Sequence, residues 1–381
     1  MLRVAYLCEY TTVNGGENSL LTFLATAAES IQAIVLCPSE GPFVQKLRAQ
    51  GIQCVPFDVR DRSAQRKPLA QIVTELCTLV ENLKVDIVHA NSLSMSRILG
   101  AAEDISCVTV GHVRDIMKVS GKVISDLNQV DRLIAVSAAT RQALIEQGVQ
   151  AERVIKIFNG VDEQVFCGTA NDLDQENAVE PWRSKLGLSS DAVLIGGVGQ
   201  IGLRKGWPVL CDAVEQIIAE FPKLHVVIAG ERYSLKQESS DYEKSLAGRA
   251  INGPLAGRLH WLGYVDAMPE FLRQLNVLAH PALQEPLGRV LLEAASSQTP
   301  VVATNVGGTA EIFGDKAALL VDAGDVDGLA TALRDVLLNP ETAMERAVIA
   351  KERIGRMFSI REFRDNTLQV YPAAQRHSFS E

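Results

Sequence analysis

Short apolar runs separated by amphipathic stretches organise the first half of the chain. Val4 to Cys8, Ala33 to Cys37, Val85 to His89, Cys107 to Val110 and Leu133 to Val136 read as buried strands, with helical stretches such as Glu17 to Glu29 and Leu69 to Leu83 between them. A strand covered on both faces loses its polar alternation, so this pattern implies βαβ units and a parallel sheet. From Cys167 to Glu180 the periodicity stops in a polar, acidic stretch suited to a domain boundary. The alternation restarts at Val193 to Gly197 and continues through Leu224 to Ala229, Leu259 to Leu262, Val277 to His280, Val301 to Thr304 and Ala318 to Val321. Helical stretches Ala330 to Leu338, Glu341 to Arg356 and Ile360 to Tyr371 close the chain. The expected class is α/β, with Rossmann-like parallel-sheet domains at 1–166 and 181–357 and a terminal helix at 358–375 assigned to the first.

Composition agrees with two cores. The 381 residues exceed one ordinary α/β core, and 47% hydrophobic against 22% charged residues suits a chain that folds throughout. A net charge of -9 leaves no basic footprint for nucleic acid, which is disfavoured as a partner. The apolar start Met1 to Cys8 is short for a signal peptide and is interrupted at Glu9, and no apolar window approaches ~18 residues. A soluble cytoplasmic enzyme is expected. The seven cysteines form no C-x-x-C pair, so reduced thiols are expected, with Cys8, Cys37 and Cys107 as small core hydrophobes.

The strongest chemical signal is Glu285-Pro286-Leu287-Gly288-Arg289-Val290-Leu291-Leu292-Glu293, directly after a strand. Proline favours the first helical position, so a helix is expected to start near Pro286, with Glu285 just outside and Glu293 about two turns inside. Glu285 would then face the carboxyl end of the sheet, where such folds bind ligands, and the free amides at the helix start would meet a diphosphate. The plain alternatives are a helix cap and a solvated surface charge.

Five ordered pieces resemble the large retaining glycosyltransferase family of the GT-B fold, often called family 4. They are Leu262-Gly263-Tyr264-Val265, His280-Pro281-Ala282, Glu285 to Glu293 followed by Ala294, Pro300 to Thr304, and Gly307-Gly308-Thr309-Ala310-Glu311-Ile312. The likeness continues upstream through Val136-Ser137, Ile157 to Asp162, Gly197-Val198-Gly199 and Lys205-Gly206. It implies two Rossmann-like domains facing a central cleft, the second holding the donor. The implied reaction moves a sugar, with retention, from a nucleotide diphosphate donor (a UDP- or GDP-sugar) to a hydroxyl acceptor, with no cofactor and no obligatory metal. No Asp-x-Asp segment stands at a strand end to suggest one.

By this resemblance Lys205 binds phosphate, neutralising charge that builds on the leaving group. The family commonly has an arginine after the glycine at position 199, where this chain has Gln200, and Arg204 is the candidate replacement. Glu285 would contact sugar hydroxyls and Glu293 the ribose, since carboxylates accept from vicinal diols. Leu287 and Gly288 would offer amides, Tyr264 and Val265 would flank the base, and Glu231 would bind at another strand end or merely cap it. In the first half, Gly15 and Gly16 form a glycine turn for the diphosphate, His112 matches the family's active-site histidine, and Glu17, Arg114 and Asp115 are acceptor-side candidates. No residue stands out as a covalent nucleophile, so retention implies attack from the leaving-group face, a phosphate oxygen helping to take the acceptor proton.

Two competing readings share the architecture: a sugar-nucleotide epimerase or phosphorylase, and a non-catalytic sugar-nucleotide-binding protein. The acceptor is open among glycans, lipids and small metabolites. Arg60, Arg62, Arg66, Lys67, Arg356, Met357 and Phe358 are candidates for peripheral membrane contact, with a solvated face as the alternative.

Overall fold

The computed structural model describes residues 1–61, 63–167, 181–234 and 236–378, with side chains described as far as Tyr371. The stretch 168–180, most of the expected linker, lies outside the described residues. The chain divides into two compact units, Met1–Gly160 with Phe358–Glu381, and Val161–Met357.

The first unit runs β1 (Leu2–Leu7), α1 (Gly15–Ala27), β2 (Ile31–Cys37), α2 (Pro42–Ala49), β3 (Gln53–Pro56), α3 (Leu69–Leu83), β4 (Ile87–Ala90), α4 (Leu93–Gly100), β5 (Val108–Val113), α5 (Gly121–Leu127), β6 (Arg132–Ala135), α6 (Ala138–Glu146) and β7 (Val154–Lys156). Its parallel sheet has the order β3-β2-β1-β4-β5-β6-β7. Along β1 and the residue after it, side chains alternate between two cores, Val4, Tyr6 and Cys8 joining one and Ala5 and Leu7 the other. Both faces are therefore covered, which is why the strand reads as an unbroken apolar run.

The second unit runs α7 (Glu163–Cys167), α8 (Trp182–Lys185), β8 (Val193–Val198), α9 (Trp207–Ile217), β9 (Leu224–Ala229), α10 (Gln237–Ile251), β10 (Leu259–Gly263), α11 (Met268–Arg273), β11 (Val277–His280), α12 (Arg289–Ser296), β12 (Val301–Thr304), α13 (Thr309–Phe313), β13 (Leu319–Val321), α14 (Val326–Leu338) and α15 (Pro340–Met357). Its parallel sheet has the order β10-β9-β8-β11-β12-β13. The last helix, α16 (Ile360–Ser378), belongs to the first unit and packs against α1 and β5.

In each sheet the first strand of the unit pairs with both its second and its fourth, which creates a topological switch point: β1 beside β4, and β8 beside β11. Loops leaving the carboxyl ends of such strand pairs are splayed to opposite faces and leave room for a ligand.

Three sequence expectations need correction. The strands β3 and β7 were not anticipated; both are sheet edges with partly exposed side chains, so neither has a continuous apolar run. Cys107 precedes β5 and is only half-buried, unlike Cys8 and Cys37. Of the residues suggested for membrane contact, Phe358 is 1% exposed and Lys67 is part-buried against Glu75, whereas Arg60 and Arg66 are exposed and converge on the Glu9 carboxylate. Arg62 lies outside the described residues. No helix among the described residues is long and apolar enough to cross a membrane.

Candidate functional site

In the second unit two loops meet at the switch point. After β8, the chain passes Gly199 and Gln200 and makes a tight turn over Leu203–Lys205 that ends at Gly206, whose φ of 67° lies in the left-handed region. A Cβ at Gly206 would run into the carbonyl oxygen of Pro281, so only glycine lets this turn sit against the loop that follows β11. The two loops are also bonded directly, Leu283 N–H donating to the Arg204 carbonyl at 2.8 Å.

This contact delivers Lys205 to Glu285. Lys205 Nζ donates to Glu285 Oε2 at 2.7 Å, and His280 Nε2 reaches the same oxygen at 2.9 Å. The lysine and glutamate side chains are 15% and 12% exposed and the imidazole 1%. Burial alone would push the Glu285 carboxyl up, but the Lys205 ammonium and the His280 hydrogen bond together hold it well below the usual carboxylate range. Burial, with the Lys205 charge adding to it, pushes His280 below the ordinary histidine value, so the ring is neutral. The Glu285 backbone is pinned as well, its carbonyl accepting from Gly308 N–H at 3.1 Å.

The helix after Glu285 starts later than proline placement suggested. Pro286 and Leu287 are not helical, and α12 begins at Arg289 after Gly288, which sits at φ 99°. The left-handed glycine breaks the helical path, leaving Glu293 one turn inside α12 rather than two. There Arg289 Nε donates to Glu293 Oε1 at 2.7 Å. Burial raises the Glu293 carboxyl, and the Arg289 charge offsets part of that.

Beside this cluster, Glu231 Oε1 accepts from Tyr264 N–H at 3.3 Å, and the Glu231 carbonyl accepts from Ile201 N–H at 3.0 Å. Tyr264 is 55% exposed, whereas the Val265 and Leu287 side chains are buried. Gln200 uses its carbonyl to accept the Trp207 indole N–H at 3.2 Å. Arg204 is exposed on the same turn as Lys205.

In the first unit two of the expected residues, His112 and Arg114, belong to a second polar cluster. Arg114, just past β5, donates to Asn91 Oδ1 at 3.1 Å and Ser19 Oγ at 3.3 Å, contacts Asn159 Oδ1, and meets His112 Nδ1 at 3.1 Å. A guanidinium only donates, so His112 Nδ1 is the acceptor and Nε2 carries the proton. His112 is 1% exposed, and burial followed by the Arg114 charge holds it neutral. Its ring stacks on His89 at 5.6 Å and lines a small cavity with Tyr6, Phe363 and Thr367. Tyr371 of α16 bonds both His89 Nδ1, at 2.9 Å, and Tyr6 Oη, at 2.8 Å.

Glu17 was expected on the acceptor side. At the third position of α1 it is 5% exposed, and its Oε2 accepts from Asn14 N–H at 3.2 Å as part of a capping box. Gly15 opens α1, the Gly16 carbonyl accepts from Asn91 Nδ2 at 3.3 Å, and Asp115 is half-buried beyond β5.

Sequence reasoning gave no role to His280, Arg289, His89, Asn91, Asn159 or Tyr371. Two had local signals: His280 ends a strand five residues before Glu285, and Arg289 stands four before Glu293 on one helix. The others are joined only by the fold.

Two doubly wound parallel sheets, one with a lysine–carboxylate–imidazole cluster at its switch point, define the architecture as the GT-B type of α/β protein. Residues 178–353 match the family model for glycosyl transferases group 1, and residues 13–165 match that for glycosyltransferase family 4. The chain belongs to this family of glycosyltransferases. It is 28% identical over 63% of its length to the alpha-maltose-1-phosphate synthase of Mycolicibacterium smegmatis, and spans 62% of that protein. It is 26% identical over 76% of its length to the glycogen synthase of Mycobacterium tuberculosis, of which it spans 69%. Among solved structures, Anabaena HepE in complex with UDP-glucose matches with a TM-score of 0.85 over 98% of this chain and 100% of that one, at 22% identity.

Proposed function

We propose that the protein is a retaining glycosyltransferase that moves a sugar from a UDP- or GDP-sugar to a hydroxyl acceptor without an obligatory metal. The observation that carries this reading is the Lys205–Glu285–His280 cluster at the carboxyl ends of β8 and β11. It sets one cation and one carboxylate held below the usual carboxylate range within 2.7 Å of each other where doubly wound sheets bind nucleotides. The names of the relatives support a transferase, and HepE with UDP-glucose bound supports a nucleotide-sugar donor.

In this reading the bond from the anomeric carbon to the diphosphate oxygen breaks, and the departing charge is met by Lys205, whose ammonium turns from Glu285 toward the phosphate. The ionised Glu285 accepts from sugar hydroxyls, and Glu293 from the ribose. The acceptor hydroxyl forms the new bond on the same face while its proton passes to a phosphate oxygen. The acceptor, a glycan, lipid or small metabolite, is bound by the first unit, and contact with a membrane surface depends on which of these it is.

Incubation with UDP-, GDP- and ADP-sugars tests the reading. One donor is expected to raise the melting temperature and to release its nucleoside diphosphate equally well with and without EDTA, and NMR of the fresh product is expected to show a retained anomeric centre. An inverted centre, EDTA-abolished turnover, or phosphate-dependent turnover without nucleotide would overturn it.

A further inference from the structure

The two donors on Glu285 Oε2 differ in kind. Lys205 reaches it along a flexible four-carbon stem and is 15% exposed, while His280 is the last residue of β11 and 1% exposed. An ionised carboxylate only accepts, so the His280 proton is on Nε2, and the neutral ring carries none on Nδ1. His280 Nδ1 is buried with no hydrogen-bond partner among the described residues. Among the described residues the ring therefore has one hydrogen bond, and that bond is to Glu285. Its backbone is held from the next strand, Thr304 Oγ1 donating to the His280 carbonyl at 3.4 Å and also to the Ala282 carbonyl.

We propose that His280 is the positioning residue for Glu285: it holds the carboxylate in place when the Lys205 ammonium is drawn toward a diphosphate. This rests on the glycosyltransferase reading for what Glu285 does, but not for the bond itself. A lysine can reorient among acceptors at small cost, whereas a strand-borne imidazole in a closed pocket has one direction to donate. With both donors on Oε2, the second oxygen of Glu285 is left for a ligand hydroxyl. Without His280, the departure of Lys205 toward phosphate would leave a largely buried carboxylate with nothing to orient it.

The test compares His280→Ala and His280→Gln with wild type, using whichever of UDP-, GDP- and ADP-glucose raises the wild-type melting temperature. Misplacement of a reacting group by about 1 Å costs on the order of 100-fold, so His280→Ala is expected to lower kcat by about 10- to 100-fold. Affinity for the free nucleoside diphosphate should stay within about 2-fold, because Lys205 is untouched. His280→Gln keeps an N–H donor and should recover most of kcat. Wild-type kcat in His280→Ala, or an equal fall in both variants, would overturn the proposal. A ligand-free measurement decides the bond independently: 15N NMR at pH 7 should show His280 neutral with the proton on Nε2, and an Nδ1-protonated or doubly protonated ring would overturn it. Should the wild type bind no nucleotide sugar, the transferase reading fails while this spectrum still decides whether the His280–Glu285 bond exists.

Discussion

Lys205 and Glu285 lie 80 residues apart in the chain and meet at 2.7 Å. They are neighbours because β8 and β11 are neighbours: the sheet inserts its fourth strand beside its first, and the loops leaving the two strands close on each other through Gly206 and Pro281. There the ammonium and the imidazole together outweigh burial and hold the carboxyl well below the usual carboxylate range.

Removing the ammonium should therefore change how the protein responds to acid. In wild type the Glu285 carboxyl titrates below its unfolded value, so its contribution to stability is fully present above that value and is lost only as pH falls below the usual carboxylate range. In Lys205→Met burial outweighs the remaining hydrogen bond and the carboxyl rises. Urea unfolding between pH 3 and 7 should show a loss of up to about 3 kcal/mol at pH 7 that shrinks toward acid. An unchanged pH profile would contradict the pairing.

Three buried histidines give a second pH signature. His89, pushed down to about 3, His112 and His280 are all held neutral, burial being the largest cause in each. Their unfolded counterparts protonate near 6.5, so stability should fall as pH drops below about 6.5, each ring costing up to about 1.4 kcal/mol per pH unit. The slope between pH 4 and 6 is expected to shrink by about that amount in His89→Gln, and an identical slope would count against a neutral His89.

Tyr371→Phe isolates the anchoring of α16. The substitution removes only the hydroxyl that bonds both His89 and Tyr6, leaving two buried polar groups without their partner. A destabilisation of about 1–3 kcal/mol is expected in denaturant unfolding. A change below about 0.5 kcal/mol would mean that the hydroxyl bridge adds nothing to the fold.

Much of this was legible in the sequence because buried parallel strands announce themselves as apolar runs. Leu224–Ala229, Val277–His280, Val301–Thr304 and Leu69–Leu83 fall where the pattern put them. The edge strands β3 and β7 were silent, being half-solvated. Local rules failed at Pro286, where proline suggested a helix start but Gly288 in a left-handed conformation delayed it to Arg289. The resemblance drew attention to Lys205 and Glu285 without revealing that they bond, because that contact is a product of strand order. His89 and Tyr371, 282 residues apart, carried no signal at all.

The central claim is that the paired charges of the second unit perform sugar transfer, and its most direct test is the turnover of Lys205→Met and Glu285→Gln. With the donor that the wild type accepts, each variant is expected to release nucleoside diphosphate at least about 100-fold more slowly, the loss typical of removing one preorganised electrostatic group. Both should remain folded by circular dichroism. Near-wild-type turnover in both folded variants would contradict the account.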